Sequence, residues 1–267
     1  MVITLIILAW LGLCAGSFVN ALVWRIKNNK DFVKSRSQCV HCGHELAAID
    51  LIPVLSWLLL RGRCRYCGKP ISQQYPIVEL IAAVTFVVSF IFWPGGVYGA
   101  GDWVLFVTWL LTSIGLLALL IYDLKWMLLP NKILYPTLLV ATAGRLIYIA
   151  SFDARFLHAL LQWVLSVLVA SGIFWAIFMF SNGRWIGYGD VRLGLITGTV
   201  LADPQKAVLM IFLASLLGTI LTLPALLRGR KAITTRIPFG PFLIAATGLT
   251  LLFGSDLIER YRRLISP

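Results

Sequence analysis

Long apolar runs separated by short polar stretches are the feature that most limits how this chain can fold. A helix needs about 20 apolar residues to cross a bilayer, and eight runs approach that length. They lie at residues 2–24, 76–93, 103–122, 132–151, 157–180, 190–202, 205–227 and 241–257. The run at 190–202 is shorter than the others and contains glycine. We therefore expect an all-α polytopic membrane protein with about eight transmembrane helices.

The composition excludes most classes of soluble protein. Hydrophobic residues make up 60% and charged residues 13% of the 267-residue chain, whereas a soluble domain is about 45–50% apolar and about 25% charged. A soluble enzyme, a disordered chain and a small disulfide scaffold are therefore ruled out. The net charge of +12 is better explained by basic cytoplasmic loops than by nucleic-acid binding. We expect the lipid bilayer as a partner and no nucleic acid.

The distribution of basic residues predicts the orientation in the membrane. Cytoplasmic loops of membrane proteins are enriched in Lys and Arg. Of the 23 Lys and Arg residues, 17 fall in four segments that would share one side of the membrane, at residues 25–75, 123–132, 181–192 and 228–238. This bias predicts an N-terminus outside and a large first loop inside, and the basic C-terminal tail is a minor exception.

Four of the five cysteines form two C-x-x-C pairs, Cys39 with Cys42 and Cys64 with Cys67. A glycine follows each pair and allows a tight turn that presents two thiolates to one ion. Four thiolates favour a tetrahedral zinc site, and such a closed site is structural rather than catalytic. Two disulfides, which a cytosolic loop disfavours, and four free thiols are the alternatives.

Three other residues bear on this interpretation of the cysteines. His41 and His44 lie close to the first pair and could replace a cysteine as ligands. The fifth cysteine, Cys14, lies in the first apolar run, where we expect a buried and unreactive thiol. The prediction is therefore a small zinc-binding loop domain on the cytoplasmic side, directly after the first helix.

Two aspartates lie at the edges of predicted spans. Asp123 ends the third span, and Asp190 opens the sixth span after Gly187 and Gly189. A carboxylate at membrane depth costs about 2.5–3.5 kcal/mol, so such residues usually serve a site. Two facing carboxylates can share one proton and activate a water molecule against a peptide carbonyl. The alternative is that each aspartate pairs with a neighbouring base as a membrane-edge anchor, namely Lys125 or Arg192.

Helix dipoles suggest different roles for the two aspartates. Asp123 lies near the C-terminus of a predicted helix, where negative charge is disfavoured, and Asp190 lies near an N-terminus, where it is favoured. We therefore expect the shared proton to reside more often on Asp123, which would leave Asp190 as the better general base.

Glycine pairs at a spacing of four residues occur in two of the predicted spans. Gly12 with Gly16 and Gly194 with Gly198 are the two pairs. Small residues at this spacing let two membrane helices approach closely. We therefore expect both pairs to form helix-packing faces.

Taken in order, these motifs resemble those of the bacterial type IV prepilin leader peptidases, which are also N-methyltransferases. The resemblance runs from end to end. It is carried by residues 16–20 with Arg25, the cysteine pairs, residues 50–57, residues 75–80, residues 123–125 with Pro130, residues 187–190 with Arg192, and residues 238–241. Small departures are Val40 in place of a common proline, Asn131 in place of a common acid and Arg192 in place of a common lysine.

The resemblance implies a membrane aspartic endopeptidase that removes the leader from prepilins or pseudopilins after a glycine. It would then methylate the new N-terminal residue with S-adenosylmethionine. The implied catalytic pair is Asp123 and Asp190, and the cysteines match the zinc loop of the bifunctional members. Implied supporting residues of the active site are Gly187, Gly189, Lys125, Arg192, Pro238 and Gly240. Candidate contacts for methyl transfer or substrate are Asn20, Arg25 and Glu79.

The implied organisation has three parts. Residues 1–24 would form the first transmembrane helix, residues 25–75 the methyltransferase-associated zinc loop, and residues 76–267 a seven-helix peptidase domain. The protein would lie in the bacterial inner membrane, with the zinc loop and the active site at the cytoplasmic face.

Two rival functions remain open. A presenilin-like intramembrane aspartic protease shares the Tyr-Asp and Gly-x-Gly-Asp elements, and residues 224–226 read Pro-Ala-Leu, like a third motif of those proteases. A non-enzymatic scaffold or transporter with a zinc-stabilised loop is the second rival. The cysteine pairs and the Pro-Phe-Gly-Pro sequence at residues 238–241 favour a prepilin peptidase.

Overall fold

The chain is almost entirely helical in a computed structural model that describes residues 1–31, 36–227 and 238–265. These residues contain no extended strand, and a short 3-10 helix spans Ala48–Leu51. The α-helices of the described residues are α1 (Val2–Lys27), α2 (Leu55–Leu59), α3 (Gln74–Ile91), α4 (Ala100–Trp126), α5 (Asn131–Phe152), α6 (Phe156–Ser181), α7 (Tyr188–Leu201), α8 (Pro204–Leu227) and α9 (Gly240–Ile265).

Seven of these helices are long and apolar enough to cross a membrane, namely α1, α3, α4, α5, α6, α8 and α9. The prediction of an all-α polytopic membrane protein is therefore confirmed. Every predicted span begins within about three residues of the first residue of a helix,. Helix α9 continues beyond the predicted end of its apolar run to Ile265.

The eighth predicted span, at residues 190–202, forms the short helix α7. Its 14 residues rise about 21 Å at about 1.5 Å per residue. The hydrocarbon core of a bilayer is about 30 Å thick. Helix α7 is therefore too short to cross a membrane by itself.

The described residues divide into two compact units, Met1–Ile91 and Phe92–Pro267. In the first unit, α1 packs against α3 along its predicted glycine face. A Cβ on Gly12 would lie 2.5 Å from the Cα of Ala83, and a Cβ on Gly16 would lie 2.5 Å from the Cα of Glu79. Only glycine permits this separation, so the first predicted packing face is confirmed.

Cys14 corrects one detail of the sequence analysis, because its thiol is exposed rather than buried. The buried residues of α1 include Gly12, Gly16 and Val19, which lie toward α3, and Cys14 lies on another side of the helix. An apolar run in a membrane helix therefore does not imply that every side chain in it is covered by protein.

In the second unit, α7 is the central helix. It packs against α5, α6, α8 and α9, and eight of its 14 residues are buried. Its closest neighbour is α6, because a Cβ on Gly194 would lie 2.8 Å from the Cα of Ser171 and a Cβ on Gly198 would lie 2.7 Å from the Cα of Val167. The second predicted packing face is also confirmed.

Serine hydroxyls of α6 bind backbone carbonyls of α7 along this contact. Ser171 donates to the carbonyl of Val191 at 2.9 Å, and Ser166 donates to the carbonyl of Gly198 at 2.8 Å. Both bonds connect buried or half-buried groups, where hydrogen bonds between membrane helices contribute about 0.6 kcal/mol on average. Helix α7 is therefore held to α6 by close packing and by hydrogen bonds.

Replacing Gly198 by alanine tests this packing. The added Cβ would overlap the backbone of α6, so we expect Gly198→Ala to lower the free energy of unfolding by about 1–3 kcal/mol. Reversible unfolding of the detergent-solubilised protein, followed by circular dichroism, measures the change.

Gly172→Ala is the matched control, because a Cβ at Gly172 of α6 would meet no atom within 4 Å. Alanine is the better helix former by about 1 kcal/mol or less, so this control should be neutral or slightly stabilising. Equal destabilisation by both substitutions would contradict the proposed role of the close contact.

Candidate functional site

Asp123 lies in the last turn of α4 and is 6% exposed. The first residue of α9, Gly240, approaches it from another part of the chain. The backbone N–H of Gly240 lies beside the Asp123 carboxylate. A Cβ on Gly240 would lie 2.6 Å from Oδ2 of Asp123. Glycine therefore lets the start of α9 reach the carboxylate.

Asp190 lies half-buried in the first turn of α7. The backbone N–H of Gly187, the residue before this helix, lies beside the Asp190 carboxylate. Gly189 lies against the connection between α4 and α5, since a Cβ there would lie 3.0 Å from Cδ1 of Leu129. These two glycines bring the first turn of α7 close to the end of α4.

The structure brings the two aspartates together. The charge of Asp123 acts on Asp190, so the two carboxyl groups lie within electrostatic reach of each other. Ion pairs of the described residues include neither aspartate. The arrangement therefore suits a pair that shares a proton, in which one carboxyl group is an acid while the other is a base.

The neighbouring bases have other partners, which argues against the anchor alternative. Lys125 is exposed, and its Nζ lies 5.6 Å from the ring centroid of Trp126. Arg192 donates to Oδ1 of Asn131, and its guanidinium carbon lies 5.1 Å from the ring centroid of Tyr188. Arg192 thus connects α7 to the start of α5.

The contact between Gly240 and Asp123 opposes the bias that the helix dipoles were expected to give. That bias would keep the shared proton more often on Asp123. Asp123 does lie at the C-terminal end of α4, as the sequence indicates. It also lies beside the first residue of α9, and the N-terminal end of a helix favours negative charge. The sequence argument included only one of these two helix ends.

The start of α9 is oriented by an aromatic contact that sequence reasoning missed. Pro238 and Phe239 precede the helix, and both are partly exposed. The ring of Phe239 packs edge-to-face on Phe174 of α6, with centroids 5.7 Å apart. No local sequence signal identifies Phe174, because a phenylalanine within an apolar run is typical of any membrane helix. The side chains of residues 224–226, the Pro-Ala-Leu sequence, lie outside the described residues.

The four paired cysteines form one cluster in the first unit. Their Sγ atoms all lie within 4.8 Å of one another, and the sulfurs of Cys39 and Cys67 are 3.9 Å apart. All of the cysteines are free thiols. The ring of His44 stacks on Tyr66 with centroids 3.7 Å apart, and neither nearby histidine belongs to the cluster. The four sulfurs alone could hold one metal ion.

Both cysteine pairs have the same backbone geometry. The N–H of Cys39 donates to the carbonyl of His44, and the N–H of Cys64 donates to the carbonyl of Lys69, each at 2.9 Å. The glycine after each pair has a positive φ, and a Cβ on it would meet no atom within 4 Å: Gly43 (φ +72°) and Gly68 (φ +68°). Backbone conformation rather than space therefore selects glycine at these turns.

Asp50 supports the second cysteine pair, although sequence analysis assigned it no role. Its carboxylate accepts hydrogen bonds from Nε of Arg65 at 2.7 Å and from the hydroxyl of Tyr66 at 3.0 Å. Burial opposes ionisation, but these bonds and the charge of Arg65 hold the pKa of Asp50 below its usual value. Because both donors lie between Cys64 and Cys67, the carboxylate holds the intervening backbone in place.

Glu79 holds a strained turn of the loop against α3. It is 5% exposed, and its Oε2 accepts the backbone N–H of Val54 at 2.7 Å. Val54 has φ +60° and ψ −50°, and the N–H of Leu55 bonds to the carbonyl of Pro53 at 2.6 Å. This is a γ-turn with positive φ at a β-branched residue, a conformation that persists only where its surroundings stabilise it.

Asn20 joins the end of α1 to the start of α3. It is 3% exposed, its amide donates to the carbonyl of Tyr75, and its Oδ1 accepts from Gln74, both at 3.1 Å. Arg25 lies half-buried near the end of α1. Asn20 and Glu79 therefore both anchor the membrane ends of the cysteine loop.

The fold and the paired aspartates define this chain as a polytopic membrane protein with a two-carboxylate site. Residues 10–93 match the model for the bacterial peptidase A24 N-terminal domain, and residues 110–223 match the model for the type IV leader peptidase family. The chain belongs to the family of type IV prepilin leader peptidases.

Several curated relatives resemble the chain over most of its length. Each carries the name prepilin leader peptidase/N-methyltransferase. That of Aeromonas hydrophila is 35% identical, over 85% of this chain and 74% of the relative. That of Pseudomonas aeruginosa is 33% identical, over 94% and 91%, and that of Bacillus subtilis is 31% identical, over 95% and 96%. No solved structure matches the chain.

Proposed function

We propose that this protein is a membrane aspartic endopeptidase that removes the leader from type IV prepilins or pseudopilins after a glycine, and then N-methylates the new N-terminal residue. The observation that carries the peptidase proposal is the meeting of Asp123 and Asp190 at the ends of α4 and α7. Membership of the family and the names of the relatives support both activities.

The proposed cleavage uses the two aspartates as one acid–base unit. The ionised carboxylate takes a proton from a water molecule, whose oxygen attacks the carbonyl carbon of the glycine before the cut. The protonated carboxyl group then gives its proton to the departing amide nitrogen. The N–H of Gly240 stabilises negative charge on Asp123 during this exchange. Gly187, Gly189, Arg192 and Pro238 are proposed to support this geometry.

The proposed location is the cytoplasmic face of a bacterial inner membrane, with the N-terminus outside. The four segments that hold 17 of the 23 basic residues support this orientation,. A prepilin has a basic leader in the cytosol and an apolar helix in the bilayer. Its cut site would therefore lie at the membrane edge, the proposed level of Asp123 in the last turn of α4 and of Asp190 in the first turn of α7.

Cleavage of a prepilin in liposomes tests the peptidase proposal. The wild-type protein should cut after the leader glycine, as read by mass spectrometry. Asp123→Asn and Asp190→Asn should each lower kcat by about 10³-fold or more, because neither can share the proton. Gly240→Ala should lower kcat by about tenfold or more, because its Cβ displaces the Asp123 carboxylate.

Gly248→Ala is the matched control for Gly240→Ala, since it lies in the same helix and its Cβ would approach no atom closer than 3.9 Å. It should cleave like the wild type. Cleavage by either asparagine variant at the wild-type rate would show that the catalytic residues are wrongly assigned. A folded wild-type protein that cuts no prepilin would refute the peptidase proposal.

We further propose that the cysteine cluster holds structural zinc. A tetrahedral site with Zn–S bonds of about 2.3 Å has sulfur–sulfur edges of about 3.8 Å. The 3.9 Å separation of the Cys39 and Cys67 sulfurs fits such an edge. All four ligand positions are taken by cysteine, so the metal would stabilise the loop rather than take part in the reaction.

The purified protein should therefore contain about one zinc ion per chain. Cys42→Ser should lose most of this zinc, because a serine hydroxyl is a poor replacement for a thiolate. Inductively coupled plasma mass spectrometry measures the content. Cys14→Ser is the matched control and should keep the metal, since Cys14 lies apart from the cluster. Wild-type protein with four titratable thiols and no zinc would contradict the prediction.

For the methyl transfer we propose Asn20, Arg25 and Glu79 as candidate contacts to the methyl donor or to the new N-terminus. S-adenosylmethionine supplies the methyl group in this proposal. Glu79 is the strongest of the three candidates, because its buried carboxylate could hold the positively charged N-terminal amine of a cleaved pilin.

The proposed organisation of the chain has three parts. Residues 1–24 form the first membrane helix, residues 25–75 the methyltransferase-associated loop, and residues 76–267 the peptidase domain.

Glu79→Gln tests the methyl-transfer proposal. It removes the charge but keeps the shape and an acceptor for the Val54 N–H. The methylated fraction of cleaved pilin should fall about tenfold or more, because a hydrogen bond to a charged group contributes about 1.5–3 kcal/mol. The rate of cleavage should stay within about twofold. Mass spectrometry separates the two products.

Glu45→Gln is the control for loss of an acidic side chain in the same unit. Glu45 forms an exposed pair with Arg36, and such pairs contribute little. Unchanged methylation in Glu79→Gln would contradict the assignment. Loss of cleavage and methylation together would assign Glu79 a structural role instead.

A further inference from the structure

The end of α7 that lies away from Asp190 is held by a charged side chain. Helix α7 ends at Leu201, and Ala202 turns the chain with φ 48° and ψ 30°. The last carbonyls of any α-helix lack partners within the helix. At this end, Nη2 of Arg145 in α5 donates to the carbonyl of Val200 at 3.0 Å. Because α7 is shorter than a bilayer core, these carbonyls need partners from the protein.

Arg145 forms no direct ion pair in the part of the chain that the structure describes, although the charge of Asp153, directly after α5, acts on it. It is half-buried, and its guanidinium carbon lies 5.9 Å from the ring centroid of Tyr148. An ionisable side chain within a membrane helix is costly and usually serves a function. A cation is also the group that a helix C-terminus favours. The bond to Val200 therefore places a positive charge at the C-terminal end of α7, where the helix dipole favours a cation.

A small cavity with a mostly apolar lining lies beside Arg145. Its volume is about 50 Å³, and its lining includes Arg145, Trp109 and three threonines, Thr108, Thr112 and Thr199. One water needs about 10–15 Å³ of such volume, so the cavity has room for more than one. Water in this cavity can accept hydrogen bonds from the guanidinium N–H groups that do not reach Val200.

Packing alone leaves the position of α7 along its own axis weakly determined. The glycine faces at Gly194 and Gly198 fix how closely α7 approaches α6. Sliding along the neighbouring helix is limited by directional hydrogen bonds to carbonyls of α7. Two come from α6, from Ser171 to Val191 and from Ser166 to Gly198, and Arg145 of α5 adds a third at the far end of the helix. Val200 is ten residues after Asp190, so the two ends lie about 15 Å apart along the same rigid helix.

We propose that Arg145 is a positioning residue of the peptidase, which fixes the position of α7 along its axis and thereby the level of Asp190 relative to Asp123. This inference rests on the proposed peptidase function. A displacement of about 1 Å at a reacting group can cost about 10²-fold in rate. The hydrogen bond at the far end of the helix, added to the two serine bonds from α6, can therefore affect the rate at Asp190.

Arg145→Gln and Arg145→Lys test the proposal in liposomes with a prepilin substrate. Arg145→Gln should lower kcat about 10- to 100-fold and leave KM within about twofold, because the substrate contacts remain while the aspartates are misaligned. Arg145→Lys retains the charge and a donor, so its kcat should lie between those of Arg145→Gln and the wild type. Arg155→Gln is the control, since Arg155 is an exposed base that follows the same helix α5.

Hydrogen–deuterium exchange supplies a readout that does not depend on activity. Arg145→Gln should speed exchange of the amides in the last turn of α7, which includes the bond from the Ala202 N–H to the Gly198 carbonyl. Exchange in α4 should match the wild type. Arg155→Gln should leave both helices unchanged.

Three outcomes would overturn the inference. The first is a wild-type kcat in folded Arg145→Gln, and the second is exchange in α7 that matches the wild type. The third is an Arg145→Lys variant as slow as Arg145→Gln, which would show that charge and donor do not matter. If the wild type cleaves no prepilin, the proposed function fails, and unchanged exchange in α7 still refutes the positional role by itself.

Discussion

Close contact between helix backbones is the interaction on which the rest of this structure depends. Within a bilayer, apolar side chains gain little by leaving lipid for protein, so helices associate through packing and hydrogen bonds. In the second unit that contact joins α6 and α7 through Gly194 and Gly198. It places a helix too short to cross a membrane at the centre of the unit. The position of Asp190 follows from that placement, because Asp190 lies in the first turn of this helix.

The paired carboxylates are assembled from helix ends, and each end contributes backbone polarity. The backbone N–H before α7 lies beside Asp190, and the first N–H of α9 lies beside Asp123. Both acids thus have backbone donors rather than bases as neighbours. A lysine or arginine in contact with either acid would stabilise the ionised form and oppose the exchange of a shared proton. The positions of Lys125 and Arg192, turned to Trp126 and Asn131, are consistent with this requirement.

The sequence alone could predict those features that depend on local pattern. The apolar runs place the starts of the spans, the spacing of glycines identifies both packing faces, and the cysteine spacing identifies the cluster. The extension of α9 to Ile265 was missed because its last turns carry Asp256, Glu259 and several arginines, which a measure of hydropathy excludes although they suit a helix. The contacts of Gly240 with Asp123 and of Arg145 with Val200 join residues far apart in the chain. No local pattern encodes such contacts. The positive φ of Val54 was likewise unpredictable, since a β-branched residue adopts it only under tertiary constraint.

The missing side chain at Gly240 has a consequence for inhibition. The carboxylate of Asp123, one of the proposed catalytic pair, occupies the space into which any larger residue would project. A compound that rests on the backbone at this position would contact a surface that the enzyme cannot reshape by substitution without moving its own acid. Resistance through this residue would therefore carry a loss of activity with it, which makes the start of α9 a durable contact for an inhibitor.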